Sequence, residues 1–256
     1  MSPVGVSFDR DHTRVAFTLR HPTGNIITAR TIAALAAGLE SAAANPHLKL
    51  LTVEGAGPDF SFGASIPEHT PGLIGNVLPA MHRLIFHMLD APVVTAAIVR
   101  GRCLGGGFEL ALACDLIFAA DDAVFGLPEI ALGVFPPAAS ALLPYRVGGA
   151  LATRTVLTGE SRSAAEWHRA GLIEAIAPSV ALGSCVDDWF ATHLAPRSAA
   201  ALRHAASAAR LALVAHVRRT LPELERLYLD SLMRTEDAAE GVAAFLEKRA
   251  PRWKDG

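Results

Sequence analysis

Gly101-Arg102-Cys103-Leu104-Gly105-Gly106-Gly107-Phe108-Glu109-Leu110-Ala111-Leu112-Ala113-Cys114-Asp115 is the stretch on which the fold turns. It follows Pro92 and the apolar, β-branched run Val93 to Val99, which reads as a buried strand. Consecutive glycines allow a tight turn, and the apolar residues from Phe108 to Cys114 read as a helix. Backbone amides at a helix start carry partial positive charge and suit an anion. The stretch has no Lys-Ser/Thr to complete a phosphate loop, and its glycines do not follow GxGxxG. No dinucleotide site is expected. Close backbone packing would explain the glycines equally well.

Glu109 stands alone among Phe108, Leu110, Ala111, Leu112 and Ala113. A helix apolar on nearly every side is normally buried, and burying an unpaired carboxylate is costly. Either a cation such as Arg102 neutralises it, or it lines a cleft where its proton is used. Glu129 repeats the situation in Phe125-Gly126-Leu127-Pro128-Glu129-Ile130-Ala131-Leu132, where Pro128 fixes the preceding backbone. Two isolated carboxylates in apolar segments suggest an acid/base pair. Upstream, Phe60-Ser61-Phe62-Gly63-Ala64-Ser65 offers a second place where a backbone amide can meet a ligand. Other polar residues read as ordinary. Asp115 and Asp121-Asp122 suit turns and caps, His69, His82 and His87 lack metal spacing, and Arg203, Arg210, Arg218 and Arg219 suit a solvated helix face.

Outward from this centre, Val4, Val6 and Phe8, then Val15, Phe17 and Leu19, alternate as in a hairpin. Helices are expected through Ile32 to Ala43 and Leu78 to Leu89, with strands at Leu48–Val53, Leu116–Ala119 and Val124-Phe125. From Pro136 onward the pattern turns helical, with long helices expected at Ala199–Val217 and Glu236–Arg249. The order implies an α/β core over residues 1–195 and a helical region over residues 196–256, divided at Pro196.

The composition narrows the function. Of 256 residues, 51% are hydrophobic and 19% charged, which excludes a disordered chain. Lys and Arg number 23 against 25 Asp and Glu, a net charge of −2 that argues against a nucleic-acid partner. Cys103, Cys114 and Cys185 form no CxxC, so neither a disulfide framework nor a metal site is expected. Met1-Ser2-Pro3-Val4-Gly5 shows no basic segment before an apolar run, and Ile130 to Tyr145 is broken by Pro136, Pro137 and Pro144. A cytoplasmic protein without a signal peptide or membrane span is the expectation.

Three motifs in order resemble the crotonase (enoyl-CoA hydratase/isomerase) superfamily. They are Phe60 to Ala64, Gly101 to Asp115, and Phe125 to Gly133, with Thr158-Gly159-Glu160 through Ile173 fitting the later family pattern. The resemblance implies a spiral of strand–strand–helix turns with a C-terminal helical trimerisation region, assembled as a homotrimer or hexamer. It implies an acyl-CoA substrate, its thioester oxygen held in an oxyanion hole by the amides of Ala64 and Gly106. Glu109 would be the base that activates water, and Glu129 would hold that water and return a proton. No cofactor is implied, because the thioester is itself the electron sink. Phe62, Gly63, Gly105 and Phe135 are the expected substrate-binding residues.

Two segments depart from the common family pattern. Ser65, Pro67, Glu68 and His69 stand where an acidic residue and a lysine are usual, and Val134-Phe135-Pro136-Pro137-Ala138-Ala139-Ser140 replaces a Pro-Gly-Ala-Gly-Gly turn. Both resemble a branch that hydrates cyclic dienoyl-CoA thioesters in aromatic-acid degradation. There Phe62 and Phe135 would form a flat apolar slot for a six-membered ring. The competing expectations are an ordinary short-chain 2-enoyl-CoA hydratase and a noncatalytic acyl-CoA-binding protein on the same fold.

Overall fold

Alternating residues open the chain as an antiparallel hairpin, β1 (Val4–Phe8) against β2 (Arg14–Leu19), with Val4 opposite Leu19 and Phe8 opposite Val15. The Asp9 carboxylate closes the turn by accepting the backbone N–H groups of Thr13 and Arg14. The structure is a computed structural model and describes residues 2–9, 11–70 and 72–256.

The next elements are α1 (Ala29–Ala43), β3 (Leu50–Gly55), α2 (Ile74–Asp90), β4 (Val94–Val99), β5 (Arg102–Leu104) and α3 (Gly106–Leu112). They are followed by β6 (Leu116–Ala120), β7 (Val124–Gly126), α4 (Pro137–Val147), α5 (Gly149–Thr158), β8 (Arg162–Ser163), α6 (Ala164–Arg169) and β9 (Ala175–Ala177). The C-terminal part holds α7 (Leu182–His193), α8 (Ala199–Arg226) and α9 (Glu236–Leu246). The six-stranded sheet runs β1-β2-β3-β4-β6-β9, parallel from β2 onward, and a three-stranded sheet runs β5-β7-β8. Each turn of the chain gives a strand to the first sheet, then a short strand to the second, then a helix: β4–β5–α3 and β6–β7–α4 repeat the step. In β3–α2 the bridge of Ser61 to Cys103 stands in for the short strand. This is a spiral of strand–strand–helix turns.

Apolar faces hold the turns together. Ile32, Leu35 and Leu39 of α1 and Leu84, Ile85 and Met88 of α2 are buried against the six-stranded sheet, whose central strands are apolar along their length. The helix expected from Phe108 begins two residues earlier, at Gly106, because Gly105 at φ +51 already turns the chain. The region after Pro136 is not wholly helical: Arg162–Ser163 and Ala175–Ala177 complete the two sheets as edge strands, too short for their period to show in sequence. None of the described helices is long and apolar enough to cross a membrane.

The Arg-rich stretch of α8 needs a correction. Arg210 is not solvated but 4% exposed. It is ion-paired to Asp115, with Nε 2.6 Å from Oδ1, and donates to the carbonyls of Leu89, Ala91 and Val93. The charge is buried because α8 packs across α4 and α2, and four acceptors replace its water. One element on, His82 of α2 bonds Glu225 near the end of α8 at 2.5 Å. Thus α8 is fixed to the core at both points.

Candidate active site

Phe60 to Ala64 lies along β5. Phe60 and Ser61 donate their N–H groups to the Arg102 carbonyl, and Leu104 donates back to Ser61. Gly63 sits at φ +100, and a Cβ there would stand 2.9 Å from the Leu104 carbonyl oxygen, so only glycine fits both the angle and the space. That close approach brings Ala64 beside the start of α3: a Cβ on Gly106 would be 3.3 Å from the Ala64 nitrogen. Ile27 pairs with the residues on either side of Ala64, donating to Gly63 and accepting from Ser65, which leaves the Ala64 N–H out of the bridge. Gly106 is the first residue of α3, where an N–H has no partner within its helix. Both residues border one cavity. Two amides therefore converge at its wall.

Glu109 lies in the first turn of the same helix and is 6% exposed. Arg102, exposed on the other side of Phe62, does not reach it as a partner. Its Oε1 instead accepts the Ala139 N–H at 2.9 Å. This contact arises from the proline pair. Pro137 opens α4 without an N–H, and Pro136 at the capping position has no side-chain oxygen. The free N–H groups at the start of α4 find the Glu109 carboxylate. Burial raises that carboxyl to about 7, with the Ala139 and Ala138 amides pulling the other way.

Glu129 follows Pro128 in a single 3-10 turn, Pro128–Leu132, and borders the same cavity. Its Oε1 lies 2.7 Å from where a Cβ on Gly105 would stand, so glycine at that position gives the carboxylate its room. Its Oε2 is shielded from solvent and has no hydrogen-bond partner among the described residues. Burial, then the charge of Glu109, raises this carboxyl to about 8. Burial thus holds both carboxyls well above the ordinary glutamate range, and the charge of Glu109 further opposes ionisation of Glu129.

The rest of the cavity is apolar, with Ile74, Leu78 and Met81 of α2 on one side and Phe135, Pro136 and Pro137 on another. Its volume of about 50 Å³ is room for one or two waters. A six-carbon acyl group is larger, so binding one requires the α2 face or the segment opposite it to give way. Larger clefts exist, one of them along α8, but its Arg146 and Arg210 are occupied by Asp115 and backbone carbonyls.

Phe135 lines the cavity and Phe62 does not. Alternation turns Ser61 inward, fully buried and bonded to the Asn25 carbonyl, and turns the Phe62 ring the other way. There it rests on Gly24, with the Arg102 guanidinium 5.4 Å from its centroid. Two residues not expected at the site border the cavity as well. His69 borders the cavity, its Nδ1 donating to the Ser65 carbonyl at 2.9 Å, and burial holds its pKa below the ordinary histidine value. Tyr228, 1% exposed, packs edge-on against Phe135 at 5.4 Å. It stands in a π-helical turn, Leu227–Ser231, that continues α8.

The sequence profile described as enoyl-CoA hydratase/isomerase matches residues 11–256. The chain is 44% identical over 254 residues to the cyclohexa-1,5-dienecarbonyl-CoA hydratase of Thauera aromatica, spanning 99% of this chain and 98% of that protein. It is 34% identical to the 2,3-dehydroadipyl-CoA hydratase of Escherichia coli across 96% of each. The crystal structure of an enoyl-CoA hydratase from Mycobacterium avium subsp. paratuberculosis superposes with a TM-score of 0.87 at 28% identity, covering both chains completely.

Proposed function

The chain belongs to the enoyl-CoA hydratase/isomerase family, and from that premise we propose that it hydrates a cyclic, conjugated dienoyl-CoA, with Glu109 and Glu129 as its acid/base pair. It is an enzyme of the hydro-lyase type acting on unsaturated acyl-CoA thioesters. The observation that carries the finer reading is one cavity that joins two buried carboxyls, at about 7 and about 8, to the converging amides of Ala64 and Gly106.

In this reading the thioester oxygen accepts both N–H groups. Ionised Glu109 takes one proton from water, the oxygen bonds to the β-carbon, and the electron pair moves onto the thioester oxygen. Two fixed donors stabilise that charge, and losing one costs about 3–4 kcal/mol of barrier. Protonated Glu129 then gives its proton to carbon. In a linear enoyl thioester the receiving carbon is α. In a cyclohexa-1,5-diene the charge spreads across the second double bond, so its far carbon can also take the proton. The pair ends with its single proton on Glu109, and exchange between the two carboxyls resets it.

The cyclic substrate is supported by the similarity to the Thauera protein and by the rigid, apolar Phe135-Pro136-Pro137 wall. The ring-facing aromatic pair is Phe135 with Tyr228. Gly63 and Gly105 serve the site by admitting the close approaches around it, and Phe62 has no role at the acyl group. Chemistry that uses the thioester as electron sink needs no cofactor. We place the enzyme in the cytoplasm, where Cys103, Cys114 and Cys185 stay reduced, as a homotrimer or hexamer, which sedimentation would measure.

The test is kcat/KM for cyclohexa-1,5-diene-1-carbonyl-CoA against crotonyl-CoA, with products identified by mass. A preference for the dienoyl thioester supports the reading. A preference for crotonyl-CoA leaves an ordinary short-chain enoyl-CoA hydratase.

A further inference from the structure

We propose that Tyr228 is a further catalytic residue, its phenol O–H donating to the oxygen of the attacking water between Glu109 and Glu129. The inference rests on the hydratase reading and follows from counting donors and acceptors around that water. Its two hydrogens face the Glu109 carboxylate and the unprotonated oxygen of the Glu129 carboxyl, and one lone pair must face the β-carbon. The second lone pair needs a donor.

The cavity offers few. The amides of Ala64 and Gly106 belong to the thioester oxygen, and the proton on Glu129 belongs to carbon. His69 is neutral, and its Nδ1–H is spent on the Ser65 carbonyl, so its Nε2 presents a lone pair, not a hydrogen. Among the side chains lining the cavity, that leaves the hydroxyl of Tyr228.

Three features put the phenol to this use. Burial, and after it the nearby charges of Glu109 and Glu129, raises its pKa, so it keeps its hydrogen throughout the working pH range. Glu129 Oε2, on the same cavity, is buried without a hydrogen-bond partner among the described residues. A water there would satisfy it and could accept from the phenol. The ring is held from two sides, by the edge contact with Phe135 and by the π-helical turn, which follows the His82–Glu225 bond by only one turn. π-turns within helices recur at functional sites because they re-aim a side chain.

The O–H contact persists when the water oxygen becomes the product hydroxyl, and this separates a catalytic role from mere space-filling. The experiment compares the wild type with Tyr228→Phe, which keeps the ring, its burial and its contact with Phe135. Expected is a loss of kcat of roughly 10–100-fold for crotonyl-CoA and dienoyl-CoA alike, with KM within about threefold. In a Glu109→Gln background, which stops turnover, Tyr228→Phe should weaken 3-hydroxybutyryl-CoA binding at least about fivefold and leave butyryl-CoA binding unchanged. Wild-type kcat in Tyr228→Phe, or equal effects on the two ligands, overturns the assignment and leaves the ring as a wall. A wild type that hydrates neither thioester overturns the hydratase reading and this inference with it. An unchanged melting temperature accompanies each comparison, so a folding defect is read separately.

Discussion

Replacing Glu129 by Gln should cost activity and add stability, the second increasingly as the pH rises. In the folded protein this carboxyl is raised from 4.5 to about 8 by burial and then by the charge of Glu109. Between those values the native state holds a proton that the unfolded chain has released. Stability from the group is therefore complete below 4.5 and is lost as pH rises through about 8. At ~1.36 kcal/mol per unit, the loss between pH 5 and pH 8 comes to about 3 kcal/mol. The Gln variant has no such proton to lose. For a chain of this size that amounts to a gain of roughly 6–12 °C over the wild type at pH 8, relative to their difference at pH 5. His69 and His82, both held below 6.5 by burial, act in the opposite sense. Their stability is complete above 6.5 and lost as pH falls, and being common to both proteins it cancels in the comparison. The assay is thermal unfolding from pH 5 to pH 9, paired with initial rates of thioester hydration. Hydration should drop at least about 100-fold while CoA-ester binding survives. Parallel melting curves for the two proteins would refute a protonated Glu129, and near-wild-type turnover would refute its use as the acid.

Three further outcomes are expected. The rate of hydration should rise with pH as Glu109 ionises near 7 and fall as Glu129 ionises near 8, a bell that Glu129→Gln lowers throughout; a rate independent of pH from 6 to 9 would contradict the shared proton. Phe135→Ala should lower kcat/KM for the cyclic dienoyl thioester more than for crotonyl-CoA, whereas Phe62→Ala, away from the cavity, should leave the ratio unchanged; the reverse order would restore Phe62 to the acyl site. Arg210→Met strands Asp115 and three carbonyls and should destabilise by about 3–5 kcal/mol in denaturant titration, and a loss below 1 kcal/mol would show the pair to be dispensable.

What could be read from the chain was whatever depends on neighbours in sequence. Glu109 and Glu129 stand out because the residues around each are apolar, and Gly63 and Gly105 because a turn needs them. Phe62 misleads for a related reason: a strand-like segment must face one way or the other, and the choice is made by Ser61, whose hydroxyl finds the Asn25 carbonyl. Arg210 and Tyr228 carry no local mark at all. The partners of Arg210 lie as much as 121 positions away, and its spacing from Arg203 and Arg218 is that of a solvated stripe. Only the packing of α8 across the core decides which arginine of that stripe is covered. Tyr228 owes its place to the same packing and to a π-turn that no hydrophobic period announces.

The bare capping position of α4 has a consequence for how Glu109 is tuned. A serine or aspartate at residue 136 would hold the helix's first amides for itself. Proline cannot, so the peptide dipoles of an entire helix are delivered to one carboxylate, offsetting part of what burial takes away. The helix is thereby a gauge of protonation: its first turn is bound tightly when Glu109 is charged and loosely when Glu109 is protonated. Proton transfer and the order of a helix start become a single event. A residue-136 substitution from Pro to Ser would uncouple them, and the low-pH side of the rate profile would move up by the strength of the contact withdrawn.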